Sequence, residues 1–314
     1  MAEQKVKIFI GPGGVGKTSL SASYALNQSK KFPDKKFKLI TIDPSKRLRD
    51  IFSMKSSAVE KEISHNLNVS LNHRDQLMKV FLESSLSEND LLDDFYKSKI
   101  FKSLLDDLSV AQEFTTFFEL VTTYNKFYFD EIIIDTPPLQ NTADFMSSVK
   151  KLESLFSSKL ISLFFSGSSH EGLLSKMIYT SRIMSFGLLK NLTGSNFVNE
   201  IDLFFKVTEL LRVKILDTLD QSKSILSENS TFYSVCNCTE LSLKALNYSL
   251  LDLKNNKNLK FEKAFVNRYE EKQSLPIKNA LIELRKSIDT EAILTSESKL
   301  ESLDDISTLL NNKL

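Results

Sequence analysis

The chain has 314 residues, 41% hydrophobic and 26% charged, with a formal net charge of +1. This globular profile imposes neither the electrostatic footprint of a nucleic-acid binder nor a solvating acidic character. No apolar run approaches the roughly 18–20 residues that span a bilayer, MAEQKVKIFIG lacks the parts of a signal peptide, and two cysteines give no disulfide framework, so the expected compartment is the cytoplasm.

Lys5–Ile10 alternates, is β-rich and breaks into glycine, which predicts a strand. Residues 17–30 place Leu20, Tyr24 and Ala25 on one helical face, and residues 37–42 read as a second strand. Within the long interval 53–128, residues 89–121 carry apolar side chains at helical spacing, which predicts a mainly helical insertion. Residues 131–134 (EIII) form a short continuous apolar run, as expected of a parallel strand buried on both faces. A helix is predicted at 198–226, strands at 231–235 and 263–266 around a helix at 239–254, and a strand at 292–294 before a helix at 301–312. Alternating strands and helices predict an α/β fold with a doubly wound, mostly parallel sheet. No repeat, linker or low-complexity tract divides it, so 1–314 reads as one domain with 53–128 as an insertion subdomain.

The chain has only 8 glycines, and Gly11, Gly13, Gly14 and Gly16 are half of them. Pro12, Pro44, Pro137 and Pro138 fall in three short segments, each just after an apolar run. Those three loops are the candidate site.

Gly11 to Thr18 fits G-x-x-x-x-G-K-[ST] between a predicted strand and a predicted helix, the context that pattern requires. Backbone N–H groups in such a loop form an anion nest, and the helix N-terminus adds positive dipole. Lys17 would reach the β/γ-phosphates of a bound nucleotide, and the Thr18 hydroxyl would ligate Mg²⁺. A plain glycine-rich turn with an exposed lysine is the simpler alternative, and the scarcity of glycine elsewhere argues against it. In the second loop, TIDPSKRLRD, Asp43 would stand at a strand's carboxyl end, able to orient or deprotonate an attacking water, or else would cap the following helix. Lys46, Arg47 and Arg49 gather positive charge beside it. In the third, IIIDTPPLQNTADF, Asp135 stands where the Mg²⁺-associated aspartate of a P-loop protein belongs. Three such loops in this order imply a nucleoside triphosphatase.

GGVGKTS, TIDPSKRLRDIF, DTPPLQNTADF and FVNRYEE, in that order, resemble the anion-transporting ATPase family, which comprises the arsenite-pump and tail-anchored-protein-targeting ATPases within the MinD/ParA-like P-loop proteins. The similarity spans nearly the whole chain, and FYKSKIFKSLLDDLSVAQEFTTFFELV looks like the helical insertion of a bacterial subgroup with one ATPase unit per chain. The resemblance implies that Gly13, Gly14, Val15, Gly16, Lys17, Thr18 and Ser19 bind the phosphates of ATP. It implies Mg²⁺ on Thr18 and, through water, on Asp135, with Asp43 positioning the hydrolytic water and Asn267 reading the adenine edge. Family members work as dimers that close over ATP, which implies a homodimer here and a protein cargo held on the helical insertion.

One departure concerns Pro12, which stands where the family's phosphate loop has a lysine that reaches the partner's phosphates. A charge of that arginine-finger kind is worth roughly 10³–10⁵ in rate, so either hydrolysis is slow, or Lys46, Arg47 or Arg49 substitutes, or a partner supplies the cation. Cys236 and Cys238 are one residue apart at a strand end; they read as buried small hydrophobes, with a metal shared across a dimer as the alternative. His65, His73 and His170 lack metal-ligand spacing and read as surface residues. The apolar stripes of 77–121 read as core or as a cargo groove. An ATP-driven switch is the leading reading of function. A positioning ATPase of the MinD/ParA type, a metabolic ligase or small-molecule kinase, and a nucleotide sensor with little turnover are the alternatives. The tail ESLDDISTLLNNKL, acidic at Asp304 and Asp305 and without aromatics, argues against membrane docking there.

Overall fold

The computed structural model describes residues 4–41, 47–55, 58–71, 74–86, 89–99, 108–126, 128–136, 149–150, 153, 195–257 and 259–294. In chain order these form β1 (Lys5–Ile10), α1 (Lys17–Lys31), β2 (Phe37–Thr41), α2 (Arg47–Ile51), β3 (Glu60–Ser64), β4 (Leu67–Leu71), α3 (Arg74–Ser85), α4 (Asn89–Lys97), α5 (Leu108–Asn125), β5 (Glu131–Asp135), α6 (Ser195–Glu228), β6 (Ser230–Asn237), α7 (Glu240–Lys257), β7 (Phe261–Tyr269), α8 (Leu275–Ser287) and β8 (Thr290–Leu294). The helix expected at 301–312 lies outside the described residues.

The strands form one sheet in the order β3-β4-β2-β5-β1-β6-β7-β8. Every pairing is parallel except β3 with β4. The run EIII lies between β1 and β2, and Ile132, Ile133 and Ile134 are buried, as a strand covered on both faces requires. This is the α/β architecture that the alternating elements predict.

The residues group into two compact units, one of Met1–His73, Glu119–Ser147 and Ser222–Leu314, the other of Arg74–Phe118 and Ser148–Gln221. In the first, Leu20, Tyr24 and Ala25 of α1 and Leu48 of α2 share a buried cluster with Phe37, Leu39, Ile133 and Val235 of the sheet. Phe9 stacks on Tyr233 with ring centroids 5.0 Å apart and lies 6.2 Å from Phe265, tying three neighbouring strands together. A second cluster joins Cys236, Ala264 and Val266 to Leu243 and Leu250 of α7 and Leu281 and Leu284 of α8.

The second unit is helical among its described residues. Phe81 meets Phe114 and Phe118 edge-on at 4.8 and 5.1 Å, and Leu82, Leu92, Phe95 and Phe117 are buried as well. These side chains of the 77–121 stripe are therefore core rather than an open groove.

Two strands interrupt the interval expected to be mainly helical. β3 and β4 lie within 53–128, and the first of its helices begins only at Arg74. They form an edge hairpin closed by His65 and Asn66, with Ser64 opposite Leu67. The buried Asn66 carboxamide donates to the carbonyls of Ser29 and Lys35 at 3.1 and 3.0 Å and accepts from the Ser29 hydroxyl at 2.8 Å, which fastens the turn to the end of α1. The helix α8, not foreseen, starts behind Ser274 with Pro276 in its first turn, a start signal that the sequence does carry.

Candidate functional site

Between β1 and α1 the chain makes the glycine loop. Gly16 holds the N-cap position of α1 at φ 96°, ψ 18°. Gly11, at φ 152°, passes so close to β6 that a Cβ there would lie 2.2 Å from the Val235 carbonyl oxygen. Glycine is required at both places, by conformation at one and by contact at the other. Pro12, Gly13 and Gly14 are exposed, whereas Val15, Lys17, Thr18 and Ser19 are buried. The Lys17 ammonium turns back over the loop and donates to the Pro12 carbonyl at 2.9 Å.

The three loops singled out in the sequence follow β1, β2 and β5, which are neighbours in the sheet and run parallel. Asp135, fully buried, ends β5 level with Phe9 of β1 and Thr41 of β2. Its Oδ2 accepts from the Thr41 hydroxyl at 3.1 Å. Thr136 donates from Oγ1 to the Phe9 carbonyl at 2.8 Å, pinning the start of the third loop beside the first. Asp43, Pro44, Lys46, Pro137 and Pro138 lie outside the described residues, as does the side chain of Arg47. The backbone oxygen of Arg49 accepts from the Met54 N–H at 2.9 Å.

Asn267, 252 positions beyond Val15 in the chain, lies directly against the glycine loop. Its Nδ2 donates to the Val15 carbonyl at 2.8 Å, and its Oδ1 accepts the Arg268 N–H at 2.9 Å. A Cβ on Gly16 would lie 2.5 Å from that Nδ2. Gly16→Ala therefore combines a left-handed backbone with a collision and should destabilise by about 2–3 kcal/mol, a fall in Tm of roughly 5 °C. Scanning calorimetry checks this, and Asn267→Ala in the same chain should restore part of the loss. Thr41, Thr136 and Arg268 were not singled out in the sequence; Thr136 and Arg268 directly follow Asp135 and Asn267, and Thr41 meets Asp135 only across the sheet.

Cys236 and Cys238 are both buried, with Cys236 opposite Val266 in the sheet. Burial pushes the Cys236 thiol up to about 12 and raises that of Cys238 too, so both behave as small neutral hydrophobes. No group of three or more His, Cys, Asp or Glu able to hold a metal occurs among the described residues. His65 is exposed, its Nε2 3.1 Å from the Pro33 carbonyl oxygen; His73 and His170 lie outside the described residues. A cavity of about 230 Å³ adjoins Gly11 and Pro12, lined by Ser234, Cys236, Leu241 and Leu246 among others.

Thr18 and Asp135 are both buried and offer oxygen donors, the ligand type that suits a hard cation such as Mg²⁺. Glycine loop, helix N-terminus and strand-end aspartate on a mostly parallel sheet define the P-loop nucleoside triphosphatase class of α/β protein. Within it the chain belongs to the anion-transporting ATPase family, whose family model matches residues 4–309. Among its relatives are ATPase GET3 of Komagataella phaffii, 29% identical over 255 residues that cover 75% of this chain and 65% of the relative, and ATPase get3 of Schizosaccharomyces japonicus, 30% identical over 247 residues covering 75% and 66%. A putative arsenical pump-driving ATPase 2 of Aquifex aeolicus is 29% identical over 168 residues, 47% of this chain and 50% of that protein. The chain thus spans less than two thirds of the length of these relatives. Among the described residues no helix is long and apolar enough to cross a membrane.

Proposed function

We propose that this chain is a Mg²⁺-dependent ATPase of the cytoplasm in which ATP closes a homodimer and hydrolysis relaxes it, so that a protein partner is held and released in turn. The observation that carries the reading is that the parallel neighbours β1, β2 and β5 bring Phe9, Thr41 and Asp135 level with one another, with Gly16 capping α1 and Lys17 bent over the glycine loop. Gly13 to Ser19 would receive the phosphates on backbone N–H groups and the helix dipole, with Lys17 exchanging the Pro12 carbonyl for phosphate oxygens. Thr18, and Asp135 through water, would hold Mg²⁺, which neutralises charge building on the transferred phosphoryl group. Asp43 would orient the attacking water, and Asn267 would read the adenine edge from its place against Val15. The ATPases named among the relatives give the nucleotide its identity.

The single-domain reading, with 53–128 as an insertion whose helices contact cargo, is part of the same proposal. With Phe81, Phe95 and Phe117 buried, cargo would meet exposed side chains such as Val80 on that insertion instead. A second reading, a nucleotide sensor with little turnover, is favoured by Pro12, exposed where a trans-acting cation would stand. ATP turnover measured against protein concentration, with light scattering in ADP and in ATP, separates the two. The switch predicts turnover per chain that rises with concentration alongside ATP-dependent dimers. Tight binding without turnover or change of mass would leave the sensor.

A further inference from the structure

Among the described residues, the glycine loop's backbone carbonyls hold two side-chain cations. One is Lys17 on Pro12; the other is Arg268, whose guanidinium Nη2 donates to the Gly14 carbonyl at 3.3 Å from the far end of the chain. Arg268 is exposed, and it is one of only two described non-glycine residues with positive φ, at 56°. A left-handed arginine is a strained conformation that its surroundings must hold. What holds it is the Asn267 side chain, which caps the Arg268 N–H while its own Nδ2 is bonded to Val15. The Asn267–Arg268 pair is thus a rigid clip fixed to the glycine loop at two points, Val15 and Gly14.

We infer that Arg268 is a phosphate-binding cation of this site, carried in the same chain and taking over charge that Pro12 cannot supply. This rests on the ATPase reading above. A guanidinium carries several N–H donors, so one bond to Gly14 leaves others for phosphate oxygens, and its fork suits phosphate better than an ammonium does. The Gly14 contact parks the cation at the loop before nucleotide arrives, as Pro12 parks Lys17. The ligand class is the polyphosphate of a nucleotide, and the contact is electrostatic.

The test is calorimetric titration of the full chain with Mg·ATP, using Arg268→Gln, Arg268→Lys and, as reference, Lys17→Ala. Glutamine keeps a donor for the Gly14 carbonyl but removes the charge. Arg268→Gln should bind ATP roughly 10-fold more weakly, with a shallower salt dependence, while Arg268→Lys stays within about 3-fold of wild type. Melting temperatures should match, because the side chain is exposed. Adding guanidinium to Arg268→Ala should recover part of the lost affinity, which a purely structural role would not produce. Wild-type affinity and salt dependence in Arg268→Gln, beside a loss in Lys17→Ala, overturns this inference alone. Wild-type affinity in Lys17→Ala overturns the ATPase site itself, and this inference with it.

Discussion

Lys17→Ala should weaken ATP binding by about 100-fold or more, beyond what calorimetry at ordinary protein concentration detects. Lys17 is only 5% exposed, and its ammonium already lies across the loop on the Pro12 carbonyl. A buried ammonium is retained where it meets charge or strong acceptors, and a phosphate oxygen is a stronger acceptor than the Pro12 carbonyl. Hydrogen bonds between ionised partners are worth roughly 1.5–3 kcal/mol each. Removing two of them accounts for the expected loss. Folding should survive, because the glycine conformations and the Asn267 contact do not depend on the ammonium. Unchanged affinity would remove the phosphate-loop assignment outright.

The parts of the fold that were legible in the sequence are those whose signal is local. β5 announces itself as a continuous apolar run that stops at an aspartate, because a parallel strand covered on both faces needs no polar alternation, and β1 as an alternating β-rich run that breaks into glycine. The loop between β1 and α1 is readable because its glycines sit in one short motif, although the contacts that crowd Gly11 and Gly16 come from Val235 and Asn267 far along the chain. β3 was not legible. Its sequence EKEIS has one large apolar residue, since an edge strand can leave most of its side chains half-exposed, and its helical competitor looked no worse. The bonds by which Asn66 fixes the turn after β3 reach back to α1. The contact of Asn267 with Val15 spans 252 positions, so no spacing rule reaches it; the resemblance of FVNRYEE to a family did. Arg268 and Thr41 were missed on similar grounds, each acting on a residue that is distant in the chain.

Asp43→Asn should leave Mg·ATP affinity within about 3-fold and slow hydrolysis by roughly 10²–10⁴, the range for loss of a positioned general base. The substitution is chosen because it separates the two roles open to an aspartate at a strand end. Asparagine is as good a helix cap as aspartate, so a residue that merely capped α2 would show no change in turnover or stability. α2 begins at Arg47, which already puts the cap position beyond Asp43. Asparagine keeps the shape and one acceptor oxygen but cannot take a proton, so a residue that activates water would bind as before and turn over slowly. The neighbouring geometry favours the second outcome. β2 ends at Thr41, level with Asp135, and the Thr41 hydroxyl is bonded to that carboxylate, so Asp43 follows two residues after a strand end that touches a proposed Mg²⁺ ligand. Light scattering on the slowed variant adds a second readout, because ATP that is bound and not hydrolysed should hold the closed dimer. A wild-type rate in single-turnover measurements would strip Asp43 of the role. Slow turnover without accumulation of dimers would keep the role and detach hydrolysis from closure.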